Sequence, residues 1–290
     1  MKLGVVYPQI EFAHRAPALR QIGLAIEGLG YDSILFYDHV VGAEHADREP
    51  PLWGPYTEAD PFHDPFVATG YLAAITETVE LATGVLILPQ RQTVLVAQQA
   101  ADVQNLSGGR LRIGVGTGWN HVEYTALGQD FATRGARIDE QIPLLRRLWE
   151  EPLVTFEGRF DRIERGCINP RPDRAIPIWI GGFGEPAFRR AARSGNGFSF
   201  AGNVDKAVGA LARVNELLAA EGRAGEPFGR ELILTRARTA AEVADTAAAW
   251  KAAGGDGVSV VTMRLGLDSV QAQLDHIAAC KQALDAAVGS

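Results

Sequence analysis

Eight short apolar runs, each followed by a longer stretch with helical periodicity, constrain this chain more than any other feature. The runs lie at residues 3–7, 33–36, 81–88, 111–116, 177–180, 197–201, 232–236 and 257–262. Several lack a polar alternate, as in strands covered on both faces of a parallel sheet. Between them, Leu19, Ile22, Ile26 and Leu29 recur at three- and four-residue spacing. So do Ile138, Ile142, Leu145 and Trp149, then Leu211, Val214 and Leu218, then Val270, Leu274 and Ile277. Each set makes one apolar stripe along a helix. Asp64-Pro65 predicts a helix start, an N-cap followed by proline at the first helical position. Asn120 with Glu123 has the spacing of a capping box.

Strand–helix alternation repeated eight times predicts an α/β fold, either a (β/α)8 TIM barrel or a large doubly wound sheet. A dinucleotide-binding doubly wound sheet would carry a glycine-rich turn after its first strand. The segment there is Tyr7-Pro8-Gln9-Ile10-Glu11-Phe12, without glycine, so the barrel is favoured. At 290 residues the chain suits one barrel, and residues 1–290 are read as a single domain. Two segments exceed the bare alternation. Residues 42–63 follow the second strand and carry four prolines with Trp53, Tyr56 and Phe62, the composition of a lid rather than a plain connection. Residues 154–172 lie between the fourth and fifth strands and begin with an expected hairpin over 154–160, turning at Glu157-Gly158.

Composition narrows the function classes. A net charge of -7 and a pI near 5.4 argue against nucleic-acid binding. Cys167 and Cys280 form no disulfide or metal-binding framework, which fits a reducing, cytoplasmic setting. Met1 leads directly into the first strand, unlike a signal peptide. The apolar run 84–89 is too short to span a membrane. A small-molecule substrate is therefore the expected partner. The histidines at positions 14, 39, 45, 63, 121 and 276 show no metal-ligand spacing, and a His45–His63 pair within the lid is the weak exception. No G-x-S-x-G elbow is present.

In a TIM barrel, chemistry sits on the loops after the strands. The second strand ends in Asp38-His39, which reads equally as a proton-moving or ligand-orienting pair and as a buried pair capping the next turn. The third strand contains Gly84-Val85, a bulge, a close backbone approach to a ligand, or a packing glycine. The fourth runs into Gly114-Val115-Gly116-Thr117-Gly118-Trp119-Asn120 at a helix start. The fifth runs into Gly181-Gly182-Phe183-Gly184 before another helix. Glycine turns at helix N-termini let backbone N–H groups approach an anion or a ring. The Lys-Ser/Thr ending of an ATP-binding P-loop is missing.

Together these segments resemble the luciferase-like monooxygenase superfamily. The resemblance is carried by residues 81–89, by Leu106-Ser107-Gly108-Gly109-Arg110, by Gly116-Thr117-Gly118-Trp119 with Glu123 and Leu127-Gly128, by Arg134-Gly135-Ala136-Arg137, and by residues 177–182. It covers nearly all of residues 1–200 in order and thins beyond. Asp38-His39 resembles the branch that uses the deazaflavin coenzyme F420. The resemblance implies a tricyclic ring at the barrel mouth, backed by a non-prolyl cis peptide at Gly84–Val85. It implies that Thr117, Gly118, Trp119, Gly181, Gly182 and Phe183 line the cofactor. It also implies that His39 faces the substrate as hydrogen-bond partner or proton donor, with Asp38 setting its orientation. The sugar-phosphate dehydrogenases of the branch carry a glutamate after the strand-4 Thr-Gly and a tryptophan beyond the Asp-His. Here Trp119 and roughly Ala43 stand in those places, so a sugar-phosphate substrate is not expected. The expected activity is hydride transfer with F420, reducing an activated C=C or C=N bond. The alternative is an FMN-dependent monooxygenase served by a separate reductase. Relatives are commonly dimers, so a homodimer is expected.

Overall fold

The computed structural model describes residues 1–13 and 15–289, so His14 lies outside the described residues. The strands are β1 (Lys2–Val6), β2 (Ser33–Phe36), β3 (Glu80–Ile87), β4 (Leu111–Gly116), β5 (Val154–Glu157), β6 (Arg162–Gly166), β7 (Ile178–Gly181), β8 (Gly197–Ala201), β9 (Gly229–Leu234) and β10 (Gly257–Val261). Eight of them close a parallel barrel in the order β1-β2-β3-β4-β7-β8-β9-β10, with β10 returning to β1. β5 and β6 stand apart as an antiparallel pair. The helices are α1 (Gln9–Phe12), α2 (Ala16–Gly28), α3 (Pro65–Ala73), α4 (Thr93–Leu106), α5 (His121–Ala126), α6 (Arg134–Glu150), α7 (Glu185–Ser194), α8 (Val204–Ala220), α9 (Ala240–Ala252) and α10 (Val270–Val288).

The helical stripes pack where their periodicity points. Ile22 and Ile26 of α2, Ile142 and Leu145 of α6, Leu211 and Val214 of α8 and Ile277 of α10 are all buried in the main core. That core lies between the barrel and its helices, because the outward face of each strand is as apolar as the helix above it. A second, small cluster of Val6, Leu35, Ala82, Ile233 and Met263 fills the barrel interior. On α3, Asp64 caps as expected, accepting from the N–H groups of Phe66 and Val67.

Two segments depart from the sequence reading for physical reasons. β9 begins at Gly229, three residues before the predicted start, because its polar residue Glu231 points inward to a buried partner. In the hairpin, the Gly158 N–H donates to the Asp161 carbonyl at 2.9 Å. The turn therefore occupies 158–161 and the return strand starts at Arg162, later than expected.

Below the small cluster, the barrel interior is closed by charge. Arg112 of β4 donates to Glu231 at 3.1 and 3.4 Å and to Glu80 at 2.6 Å, and its guanidinium lies 4.1 Å from the Trp179 ring centroid. Ser259 donates to the same Glu231 carboxylate at 2.7 Å. Glycines at 197 and 229 leave the space that the Trp179 ring occupies. The opposite end, where the strands terminate, is built differently.

Candidate functional site

The residue pair after β2 divides its work. Asp38 is 2% exposed. Its Oδ2 accepts from the Ile87 N–H at 2.9 Å and the Arg91 Nε at 3.2 Å, and its Oδ1 accepts from Arg91 Nη2 at 2.7 Å. Arg91 also reaches Asp64 at 3.0 Å, tying the β3 end to the start of α3. Burial raises the Asp38 carboxyl above the ordinary carboxylate range, and the Arg91 guanidinium opposes that by charge and hydrogen bonding. Asp38 therefore does not orient His39, which corrects the role expected for it.

The carboxylate that faces His39 belongs to Glu123, in the first turn of α5. Its Oε1 lies 3.3 Å from His39 Nδ1 and accepts from the Val40 and Val41 N–H groups at 2.8 and 3.1 Å. The predicted capping box on α5 is thus half present. Asn120 accepts from Val122 N–H and Glu123 N–H, but the Glu123 side chain turns away to the loop after β2. Sequence reasoning missed this partner because the spacing supplied a sufficient local role. The remaining signal was an acid beside Tyr124 at two consecutive buried positions of a short helix. The His39 ring is framed by Phe62, Tyr56 and Trp119 at centroid distances of 4.8, 5.1 and 5.5 Å. A polar cavity of about 190 Å³ lies here, lined by His39, Tyr56, Asp60, Phe62 and Asn120 among others.

The remaining sequence-predicted residues form a floor and a side cavity at the same end. Gly84–Val85 is a non-prolyl cis peptide, as expected, at a register shift between β3 and β4. The Val85 side chain packs over glycines of the next two strands. A Cβ on Gly116 would stand 2.6 Å from a Val85 methyl, and one on Gly181 would also collide with Val85. Gly118 (φ +63°) lies against Ile87, and the Thr117 carbonyl accepts from Tyr124 Oη at 2.7 Å. Trp119 lies over Gly54 of the lid as well as beside His39. Gly182 has φ +143°, which an L side chain rarely adopts, and Phe183 beyond it is 82% exposed. Gly182 and Phe183 open a cavity of about 600 Å³ that continues past Phe198 and Phe200 to Asn203, Lys206 and Arg236. No hydrogen-bond or ion-pair partner within the described residues engages the Lys206 or Arg236 side chains.

Residues 42–63 carry no helix or strand and pass over His39. Tyr56 makes the contact and lies tilted against Tyr37 at 6.4 Å, while Trp53 is 82% exposed. Burial raises both phenols, so Tyr37 and Tyr56 stay protonated at neutral pH. Arg264, between β10 and α10, pairs with Asp60 at 3.0 Å and lies 5.5 Å over the Tyr56 ring. The two lid histidines do not meet. His45 Nε2 lies 3.0 Å from the Tyr56 carbonyl, whereas His63 sits against Tyr7 of the segment after β1.

Comparison with known proteins places this geometry. Residues 4–285 match the family model described as luciferase-like monooxygenase. The uncharacterized protein Rv0940c of Mycobacterium tuberculosis is 35% identical over 208 residues, covering 70% of this chain and 72% of that protein. An Intrasporangium calvum protein named F420-dependent glucose-6-phosphate dehydrogenase is 36% identical over 181 residues, covering 59% of this chain and 50% of that protein. Among solved structures, an F420-dependent secondary alcohol dehydrogenase in complex with an F420-acetone adduct superposes with a TM-score of 0.80 at 15% identity, over 98% of both chains. The monooxygenase RslO1 from Streptomyces bottropensis gives 0.77 at 20% identity, also over 98% of both. At such identities these superpositions show the fold.

Proposed function

This chain belongs to the luciferase-like monooxygenase family, and on that premise we propose that it is an F420-dependent oxidoreductase. It transfers a hydride between the deazaflavin and a small organic substrate, with reduction of an activated C=C or C=N bond as the favoured chemistry. The observation that carries the reading is the composition of one barrel mouth. A flat apolar floor of Val85 over Gly116 and Gly181 lies at the same end as a polar pocket around His39. Glycine at 116 and 181 lets the Val85 side chain lie down across the neighbouring strands, and an apolar surface of that kind suits the face of a planar ring. The cavity beyond Gly182, edged by Lys206 and Arg236 with no partner among the described residues, suits the anionic part of the same cofactor. The relatives named for F420 support the choice of deazaflavin.

When bound, the deazaflavin supplies a hydride donor or acceptor that reacts poorly with oxygen. The chain's own residues do the rest. Gly84, Val85, Gly116, Gly181 and Gly182 hold the ring and the start of its tail, with Thr117, Gly118, Trp119 and Phe183 around it. His39 presents its imidazole to the substrate as proton donor or hydrogen-bond partner. Asp38 keeps the end of β3 in place through Ile87 and Arg91. Tyr56, Phe62 and Trp119 exclude water from the His39 side. Trp119 stands where the sugar-phosphate enzymes of the branch carry a glutamate, so a sugar phosphate is not the favoured substrate.

An FMN-dependent monooxygenase with a separate reductase shares the fold and the glycine turns. Anaerobic titration with F420 and with FMN distinguishes the two. The deazaflavin is expected to bind at least about tenfold more tightly, a gap of about 1.4 kcal/mol. Tighter FMN binding, with oxygen consumed during product formation, would overturn the F420 reading.

A further inference from the structure

We infer that Glu123 is the positioning residue of His39, fixing the ring so that Nδ1 carries the proton and Nε2 is the nitrogen left for the substrate. The inference rests on the reading of His39 as the group that faces substrate. Glu123 is 1% exposed, and its carboxylate makes its contacts through Oε1 with Nδ1 of His39 and with the N–H groups of Val40 and Val41. Both backbone partners are donors. A carboxylate holding two N–H groups is an acceptor, so the third partner, Nδ1, is a donor as well. A neutral imidazole that donates through Nδ1 has its acceptor at Nε2, and that nitrogen serves as proton donor only after taking up a proton itself. Within the described residues, Nε2 of His39 has no protein hydrogen-bond partner.

The arrangement is built rather than incidental. Asn120 Oδ1 caps α5 at Val122 and Glu123, while its Nδ2 donates to the Val41 carbonyl at 3.2 Å. The first turn of α5 is thereby tied to the loop after β2 at Val40 and Val41, next to His39. Three aromatic rings close on the imidazole, so it has one hydrogen-bonded edge, packed faces, and a second edge at the polar cavity. A histidine whose far nitrogen is held by a carboxylate is the arrangement by which enzymes select tautomer and ring orientation. Other charged or titratable groups around the pair are already engaged: Asp38 with Arg91, Asp60 with Arg264, and His45 with the Tyr56 carbonyl.

The test is nitrogen NMR of the full chain with labelled histidine, the His39 signals assigned by their absence in His39→Asn. In the unaltered protein His39 is expected to be a single Nδ1–H tautomer. An Nε2–H tautomer there overturns the inference without any variant of Glu123. In Glu123→Met, which removes the acceptor at similar length, the Nδ1–H tautomer is expected to be lost in favour of Nε2–H. Glu123→Gln, whose carbonyl still accepts from Nδ1, Val40 and Val41, is expected to restore it. Retention of pure Nδ1–H in the methionine variant would also overturn the inference. None of these readouts involves F420. A correct tautomer in a protein that binds no F420 would therefore refute the proposed activity while leaving the positioning role supported.

Discussion

The two ends of the barrel interior are built from the same alternating strand positions and treat polar groups in opposite ways. At the closed end, Arg112 is saturated by Glu231 and Glu80 and covered by Trp179, and Ser259 completes the Glu231 carboxylate. At the open end, Val85 lies over Gly116 and Gly181, and Lys206 and Arg236 edge a cavity of about 600 Å³ with no hydrogen-bond or ion-pair partner among the described residues. Fully satisfied buried charge specifies a structure, whereas unspent charge and empty volume leave free energy for a ligand. The comparison teaches where a barrel keeps its binding capacity: not in which residues are polar, but in which polar residues lack an internal partner.

The sharpest way to break the comparison is at the closed end. Glu231→Leu leaves Arg112 with only the part-exposed Glu80 carboxylate, so about 3–5 kcal/mol, the cost of a buried charge left wholly unpaired, is the upper bound. Urea unfolding is expected to show a loss within that bound. The double variant Arg112→Met, Glu231→Leu is expected to recover most of it, since no uncompensated charge remains. Equal loss in single and double variants would mean that the pair's shape, not its charge, closes the barrel.

The matching change at the open end acts on binding instead. Lys206→Ala with Arg236→Ala removes two exposed cations that no side chain among the described residues engages, so thermal unfolding is expected to stay unchanged. Affinity for F420 is expected to fall about tenfold, about 1.4 kcal/mol, and to depend less steeply on salt than in the parent protein. Unaltered affinity would place the anionic part of the cofactor away from this cavity.

The same contrast accounts for what could be read from the chain alone. Strand identity and barrel closure follow from local apolar runs, so β2, β4 and β8 match their sequence-derived limits of 33–36, 111–116 and 197–201. The glycines at the strand ends were legible because a glycine in a strand marks unusual backbone geometry or a close approach by another group, and their part in holding a cofactor belongs to the proposal. The pairings were not legible. Asp38 finds Arg91 across 53 positions, and His39 finds Glu123 across 84, and no local pattern encodes such partners. The start of β9 was missed for a related reason. Arg230 and Glu231 look like solvent-facing residues until the barrel brings Arg112 to Glu231.

A smaller effect is expected where the lid meets the mouth. The Arg264–Asp60 pair is part-exposed, and such pairs contribute roughly 0–1 kcal/mol. Arg264→Ala is therefore expected to leave global stability within about that range while freeing Tyr56 and the chain around it. Hydrogen exchange over residues 42–63 is the measurement, expected to quicken in the variant and to slow again when F420 is added. Exchange that is identical with and without ligand in both proteins would mean the segment is a fixed wall rather than a lid.

The smallest expected effect is a pH dependence at the lid's far end. His63 is half-buried beside Tyr7, its Nε2 has no hydrogen-bond partner among the described residues, and burial lowers its pKa from the ordinary 6.5. The folded protein therefore holds His63 neutral where the unfolded chain would already take up a proton. The sign follows from that difference: the contribution is fully present above pH 6.5 and is lost as pH falls through the lowered folded value. His63→Gln removes the titrating group. The melting temperature of the variant is expected to fall less between pH 7 and pH 5 than that of the parent, the two curves converging in shape above pH 7. His276 is lowered by burial too, against Cys280 on α10, so the parent retains a second acid-sensitive site and the His63 effect is only part of the total. His276→Gln serves as the contrast, since it should reduce the same acid-side loss without altering exchange in the lid. If His63→Gln leaves the pH dependence of melting untouched while His276→Gln removes it, the burial of His63 carries no energetic weight, and the lid's inner end is as open to water as its outer one.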